Sequence, residues 1–345
     1  MIIPSLNRRR FTTLVAACVA VPAVHAQLKL EKTKVVIAVG GKTAFCHLPL
    51  TIAEQLDYFK AEGLDVEISD FAAGPRALQA VAGGSADVVS GAYEHTIHLQ
   101  GRNQLFQCFV VQGRAPQIAF GVSTKGMPGY RTVADLRGRR IGVEAPGSTT
   151  NMVASMVLAR AGLKASDVSF VGVGSSLAAL ASLRTAQVDA MCNTDPVMTM
   201  LEQKSDVRII SDTRTLKGTQ EVFGGPMPAA CLYAPIEFVQ KNPNTCQALA
   251  YAIVHGLKWL QTAGPSDIIK TVPESYFLGD RALYLASFNK VREAIALDGV
   301  LPEEGAKTAL RAVASFEPSI RADKIELGKT YINDFAQRAK ERYKA

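Results

Sequence analysis

Ala77-Leu78-Gln79-Ala80-Val81-Ala82-Gly83-Gly84-Ser85-Ala86-Asp87-Val88 aligns without a gap on Ala179-Leu180-Ala181-Ser182-Leu183-Arg184-Thr185-Ala186-Gln187-Val188-Asp189-Ala190. The same order of signals precedes each run. In the first copy an apolar run, Val35 to Val39, meets Gly40-Gly41-Lys42-Thr43; a helical pattern with Pro49 near its start then ends in Gly63-Leu64 before Val66. In the second, Ile141-Gly142-Val143 meets Pro146-Gly147-Ser148, and the helical pattern ends in Gly162-Leu163 before Val168. Each half reads strand, helix, Gly-Leu, strand, helix, small-x-Asp, strand. Two such α/β units predict two Rossmann-like lobes with a crevice between them.

The second loop carries the sharper chemical signal. Ser148, Thr149 or Thr150 is placed to cap the helix that follows. The first N–H groups of that helix, backed by its dipole, then form an anion site, unless the hydroxyls serve only as caps.

The first unit runs from about Lys34 to Gln112, with an amphipathic helix over Leu48 to Phe59. Ile118 to Val122 reads as a strand crossing into the second lobe, and Ala229 to Tyr233, after a Gly/Pro cluster, as the return. The expected division is residues 27–118 with 227–345 in lobe one and 119–226 in lobe two. The rest reads as helices over Ile236–Lys241, Cys246–Gln261, Leu283–Ile295, Gly305–Ala314 and Lys324–Tyr343, packed on lobe one.

The amino terminus carries export signals. Arg8-Arg9-Arg10 precedes an apolar run from Leu14 to Val21, and Val24-His25-Ala26 is a small-residue cleavage site. Residues 1–26 are therefore expected to be a secretory signal peptide. Arg8-Arg9-Arg10-Phe11 loosely fits twin-arginine export, and Cys18 offers a competing lipoprotein reading. The formal charge of +7 falls to +4 without the leader's three arginines, too mild to argue for nucleic acid. Five cysteines remain, Cys46, Cys108, Cys192, Cys231 and Cys246, an odd and widely spaced set with no CxxC or zinc spacing.

Ile52-Ala53-Glu54-Gln55, Tyr58 to Val66, Gly83 to Val88, Asp135 to Val143 with Gly147-Ser148, Gln187 to Ala190 and Glu237 to Pro243 occur in an order that resembles the periplasmic binding proteins of ABC importers. The resemblance is narrower to the group for sulfonates, taurine and nitrate and to the related proteins for thiamine-pyrimidine precursors. It implies a type II periplasmic binding protein fold: two α/β lobes joined by two crossing strands, closing on a small-molecule solute. It also implies a periplasmic monomer that serves an ABC permease at the inner membrane, with no catalysis, cofactor, metal or nucleic acid. The leading expectation is a small organic anion such as a sulfonate or aromatic carboxylate; the alternative is a pyrimidine. An enzyme of pyrimidine synthesis in the wider family carries a cysteine-rich iron motif, and Cys46 has no cysteine neighbours. A regulator's effector domain needs a helix-turn-helix where this chain has its leader.

The loops after strands nominate the site residues. Lobe one offers Lys42 as a positive charge, Phe45 as a ring, His47 as a donor, Gly74, and the cluster Tyr93-Glu94-His95. Lobe two offers Ser148, Thr149, Asn193 and Asp195. Each has a plain structural reading: a solvated lysine, a core ring, capping hydroxyls, a dipole-favoured carboxylate, an Asx turn before Pro196. Neutral donors suit a dehydrated oxyanion, whereas Glu94 and Asp195 in the pocket shift the expectation towards a neutral or amine-bearing heterocycle.

Overall fold

The computed structural model describes residues 29–345; the expected signal peptide, the cleavage site and Cys18 lie outside the described residues. Ten strands form two mixed sheets. The first contains β1 (Lys34–Gly40), β2 (Asp65–Phe71), β3 (Val88–Ala92), β4 (Phe106–Val111) and β10 (Ala230–Pro235), in the order β2-β1-β3-β10-β4. The second contains β5 (Ile118–Ser123), β6 (Arg140–Val143), β7 (Ser169–Gly172), β8 (Ala190–Thr194) and β9 (Val207–Asp212), in the order β7-β6-β8-β5-β9. The two orders match: three parallel strands, then one antiparallel strand that arrives from the other sheet. β5 and β10 are those arriving strands, as the crossing pattern predicts.

Fourteen α-helices flank the sheets among the described residues. Before the first crossing lie α1 (Leu48–Gln55), α2 (Tyr58–Ala61), α3 (Gly74–Ala82) and α4 (Glu94–Gly101). Around the second sheet lie α5 (Thr149–Arg160), α6 (Leu177–Arg184), α7 (Val197–Gln203) and α8 (Leu216–Phe223). After β10 come α9 (Ile236–Lys241), α10 (Pro243–Thr262), α11 (Pro265–Thr271), α12 (Arg281–Val291), α13 (Glu303–Phe316) and α14 (Asp334–Tyr343).

The repeated aspartate has one structural role in both halves. Asp87 donates its backbone N–H to the Val36 carbonyl, and its carboxylate accepts the Val36 N–H at 3.0 Å. Asp189 does the same at Arg140, accepting its N–H at 2.9 Å. Each carboxylate thus ties the incoming third strand to the start of the first, which explains the small-x-Asp signature at the level of pairing. Close backbone approach explains a glycine as well. A Cβ on Gly40 would lie 2.2 Å from the Gly74 nitrogen, so the end of β1 abuts the start of α3.

Several boundaries differ from the periodic pattern. The helix expected over Leu48 to Phe59 breaks at Asp57, which takes φ 56°, so α1 and α2 are separate. The helix expected over Lys324–Tyr343 begins only at Asp334. The preceding residues run along β4, where Cys108 donates to the Thr330 carbonyl and accepts from Ile332 N–H. Covering that open edge with backbone outweighs local helix propensity. Helices α7, α8 and α11 are not legible in the pattern. The carboxy-terminal helices also do not all stay with the first sheet: α12 packs on α7, and α13 contacts both α4 and α5.

Candidate functional site

The carboxyl ends of the parallel strands in both sheets converge on one cavity of about 60 Å³. The first unit contributes Gly40, Ala44, Cys46, His47, Gly74, Gly91 and His95. The second contributes Glu144, Ser148, Thr149, Thr150, Ser175 and Thr194, and Pro116, Ile118, Ala229 and Ala230 line it from the crossings. No lysine or arginine is among the lining residues; the one carboxylate is Glu144.

His47 is held by a short helical turn over Phe45–His47, and its Nδ1 lies 3.0 Å from Ser90 Oγ. His95 rises from the first turn of α4 with Nδ1 2.9 Å from Tyr233 Oη. Burial pushes both imidazoles down to about 4, so both are neutral at physiological pH. Cys46 lines the same wall; burial, with the Glu144 charge beside it, pushes its thiol up to about 12. It is a neutral S–H rather than a nucleophile. The other four cysteines among the described residues are buried and unpaired.

Two carboxylates reach across the cleft in opposite directions. Glu144, after β6, accepts the N–H of Gly74 at the start of α3 at 2.8 Å. Glu94, at the start of α4, accepts the hydroxyl of Thr149 at the start of α5. A residue at the start of each of these helices, the Gly74 N–H and the Thr149 hydroxyl, is thus bound by a carboxylate from the other half of the fold. Burial raises the Glu144 carboxyl to about 7 against the opposing Gly74 hydrogen bond, and the Glu94 charge raises it further. Burial likewise raises Glu94, against the Thr149 hydrogen bond. Glu94 is 1% exposed, and its Oε2 has no hydrogen-bond partner. Thr194 Oγ1, on the lining, has none either.

The structure separates the residues nominated from sequence. His47, Gly74, His95, Ser148 and Thr149 line the cavity, and Glu94 lies behind Thr149. Ser148 nonetheless acts as the helix cap. Its Oγ accepts from Asn151 N–H, donates to the Ala145 carbonyl at 2.7 Å and bonds Thr150 Oγ1 at 2.8 Å. No hydroxyl hydrogen is left for an anion.

Five further expectations are corrected by placement. Lys42 turns to Glu54, 2.7 Å away on α1. Phe45 is a core ring, its centroid 4.5 Å from that of Tyr284. Tyr93 is fully buried, its hydroxyl 2.7 Å from Thr330 Oγ1. Asn193 donates to the Gly174 carbonyl at 2.8 Å, holding the β7 and β8 ends together. Asp195 caps Thr199 N–H at 2.7 Å and pairs with Arg214. Sequence reasoning missed Glu144, whose signal was a carboxylate immediately after a parallel strand in the repeated unit.

Two expected results test this geometry. Thr149→Val leaves both Glu94 oxygens unpartnered and should destabilise the protein by about 1–3 kcal/mol, read by chemical denaturation; an unchanged midpoint would show that the cross-cleft bond does not form in solution. The Glu144 carboxyl is raised from 4.5 to about 7, so its protonated form favours the fold. That contribution is full below pH 4.5 and is lost as pH rises through about 7. The melting-temperature difference between wild type and Glu144→Gln should fall over that window and level off above it; a flat difference would refute the burial of this carboxylate. His47 acts in the opposite sense: its pKa falls from 6.5 to about 4, so its contribution is present above pH 6.5 and lost as pH drops through about 4.

Residues 44–265 match the NMT1/THI5-like family, and the chain belongs to it. A solved protein from Bordetella bronchiseptica RB50 is 58% identical, with TM-score 0.90 over 92% of this chain and all of its own. The alkanesulfonate-binding protein SsuA from Xanthomonas axonopodis pv. citri, solved with MOPS, is 18% identical with TM-score 0.69, covering 88% of this chain and 99% of that one. The periplasmic nitrate-binding protein NrtA from Synechocystis PCC 6803 is 14% identical with TM-score 0.67, covering 91% and 89%. At those identities the last two show the fold: two α/β lobes of the periplasmic binding protein kind. No helix among the described residues is long and apolar enough to cross a membrane.

Proposed function

We propose that this chain is the exported solute-binding component of an ABC uptake system, working as a monomer in the periplasm and delivering its solute, chemically unchanged, to an inner-membrane permease. The observation that carries the reading is the pair of contacts across the cleft, Glu144 to Gly74 and Thr149 to Glu94, around a cavity built by both halves. The cavity is narrow, so solute entry requires the halves to part. Ligand contacts made only after closure then bias that hinge motion.

The chemistry of the lining favours a planar solute with N–H donors, such as an aminopyrimidine, over a sulfonate or aromatic carboxylate. An oxyanion needs fixed donors or cations. Here the lining has no Lys or Arg, the imidazoles are uncharged, and carboxylates already occupy the Gly74 N–H at the start of α3 and the Thr149 hydroxyl at the start of α5. An N–H group finds an acceptor in Glu144, which uses one oxygen on Gly74, and in Thr194 Oγ1. The small glycine and alanine faces around Gly40, Gly91 and Ala92 leave room for a flat ring.

A thermal-shift screen tests the reading, because a ligand that binds only the folded state raises the melting temperature by mass action. Aminopyrimidines should raise it and short alkanesulfonates should not. The reverse order would favour the anion reading. Release of a modified product over repeated cycles would favour an enzyme.

A further inference from the structure

A second concave surface lies at the other end of α5 from the cavity. It is a groove of about 860 Å³ between the carboxy-terminal halves of α5 and α13, closed below by the end of α8. That volume is in the range of small-molecule sites. Its floor and walls include Met156, Phe223, Ala312 and Phe316. Its mouth carries Arg160, the last residue of α5, and Lys164 in the turn just beyond it; Arg160 donates to the Glu221 carbonyl, and neither cation is paired with a carboxylate among the described residues. No Asp or Glu lines it; Arg311, on the far wall, is paired with Glu304 at 3.6 Å and donates to Thr308 at 2.9 Å. An apolar trough beneath two unneutralised cations is complementary to a molecule with one apolar end and one negative end.

We propose that this groove is a second ligand site, distinct from the cleft, that takes a small amphipathic anion: an acyl or aryl chain ending in a carboxylate or sulfonate. The head group sits on Arg160 and Lys164 and the chain lies over Phe223 and Phe316. The groove is built from both parts of the molecule, α5 and α8 beside the second sheet and α13 from the segment after β10. An occupant bridging them is therefore coupled to the angle between the lobes, and through it to affinity in the cleft.

Octanoate, titrated calorimetrically into the purified protein, tests the site, with octanamide as its uncharged counterpart. Octanoate should bind saturably, and octanamide about tenfold or more weaker. The exposed double substitution Arg160→Ala with Lys164→Ala should weaken octanoate by about ten- to a hundredfold while leaving the melting temperature near wild type. Glu144→Gln, in the cleft, should leave octanoate binding unchanged. Three outcomes overturn the proposal: no saturable binding, which would leave the groove to a protein partner; equal affinity in the double variant; or tighter octanoate binding in Glu144→Gln, where removal of the cleft carboxylate favours an anion, which would place the anion in the cleft. Because the cleft screen uses pyrimidines and this titration uses an anion, either reading can fail without the other.

Discussion

Arg214→Met should destabilise the protein by about 3–5 kcal/mol, the usual cost of leaving buried charges without their partner. Arg214 is only 2% exposed. Its guanidinium donates to Asp212 at 2.6 and 2.8 Å, to Glu202 at 3.1 Å, to Thr199 at 3.2 Å and to Asp195 at 3.3 Å. Burial opposes its charge, yet these carboxylates outweigh the burial and raise its pKa. Removal of the cation strands Asp195, which is 1% exposed. The effect should also reach the site. Asp195 directly follows Thr194 on the cavity wall, and its carbonyl accepts the N–H of Phe45 from the other half at 3.4 Å. Glu202 is in turn paired at 2.6 Å with Lys290 on α12, a second tie between the halves. Urea denaturation of the unliganded variant measures the loss. A change below about 1 kcal/mol, the ceiling for exposed pairs, would mean that solvent reaches this network.

Glu144→Gln should weaken an N–H-donating ligand by about ten- to a hundredfold, the worth of one charge-assisted hydrogen bond, and Glu94→Gln, one layer back behind Thr149, should weaken it less. Glutamine keeps the size and one acceptor oxygen, so Gly74 N–H and Thr149 Oγ keep a partner and the fold should survive. The double substitution removes both ionisable carboxyls and should let an alkanesulfonate compete. Titration above pH 7, where Glu144 is ionised, gives the largest contrast. If both single variants bind the aminopyrimidine as tightly as wild type while the sulfonate is still rejected, the carboxylates do not select the solute. The aromatic-free, small-residue walls around Gly40 and Gly91 would then be the place to look.

What could be read locally and what could not differ in kind. The duplicated unit was legible because it is written in short-range signals: an apolar run, a small-residue turn and a helical period, closed by an aspartate that binds the first strand of its own half. Asp87 and Asp189 do this in both sheets, so a match between two pieces of sequence became a match between two sheet orders. The helix cap at Ser148 was legible for the same reason, its partners lying within three residues. The candidate site was legible only as a set of loops. Tyr93 turns from the cavity to Thr330, 237 positions away, and Phe45 to Tyr284. Glu94 meets Thr149 from 55 positions away, and Glu144 meets Gly74 from 70. Which side chain of a loop faces the cleft depends on what competes for it from distant segments, and that competition is settled by packing after the halves come together. The sequence by itself therefore determined two α/β lobes with facing loop edges, because strand, turn and cap signals act over a few residues. Only the tertiary structure decided that those edges present carboxylates and neutral imidazoles rather than cations, because burial and cross-cleft contacts set both the orientation and the charge of each group.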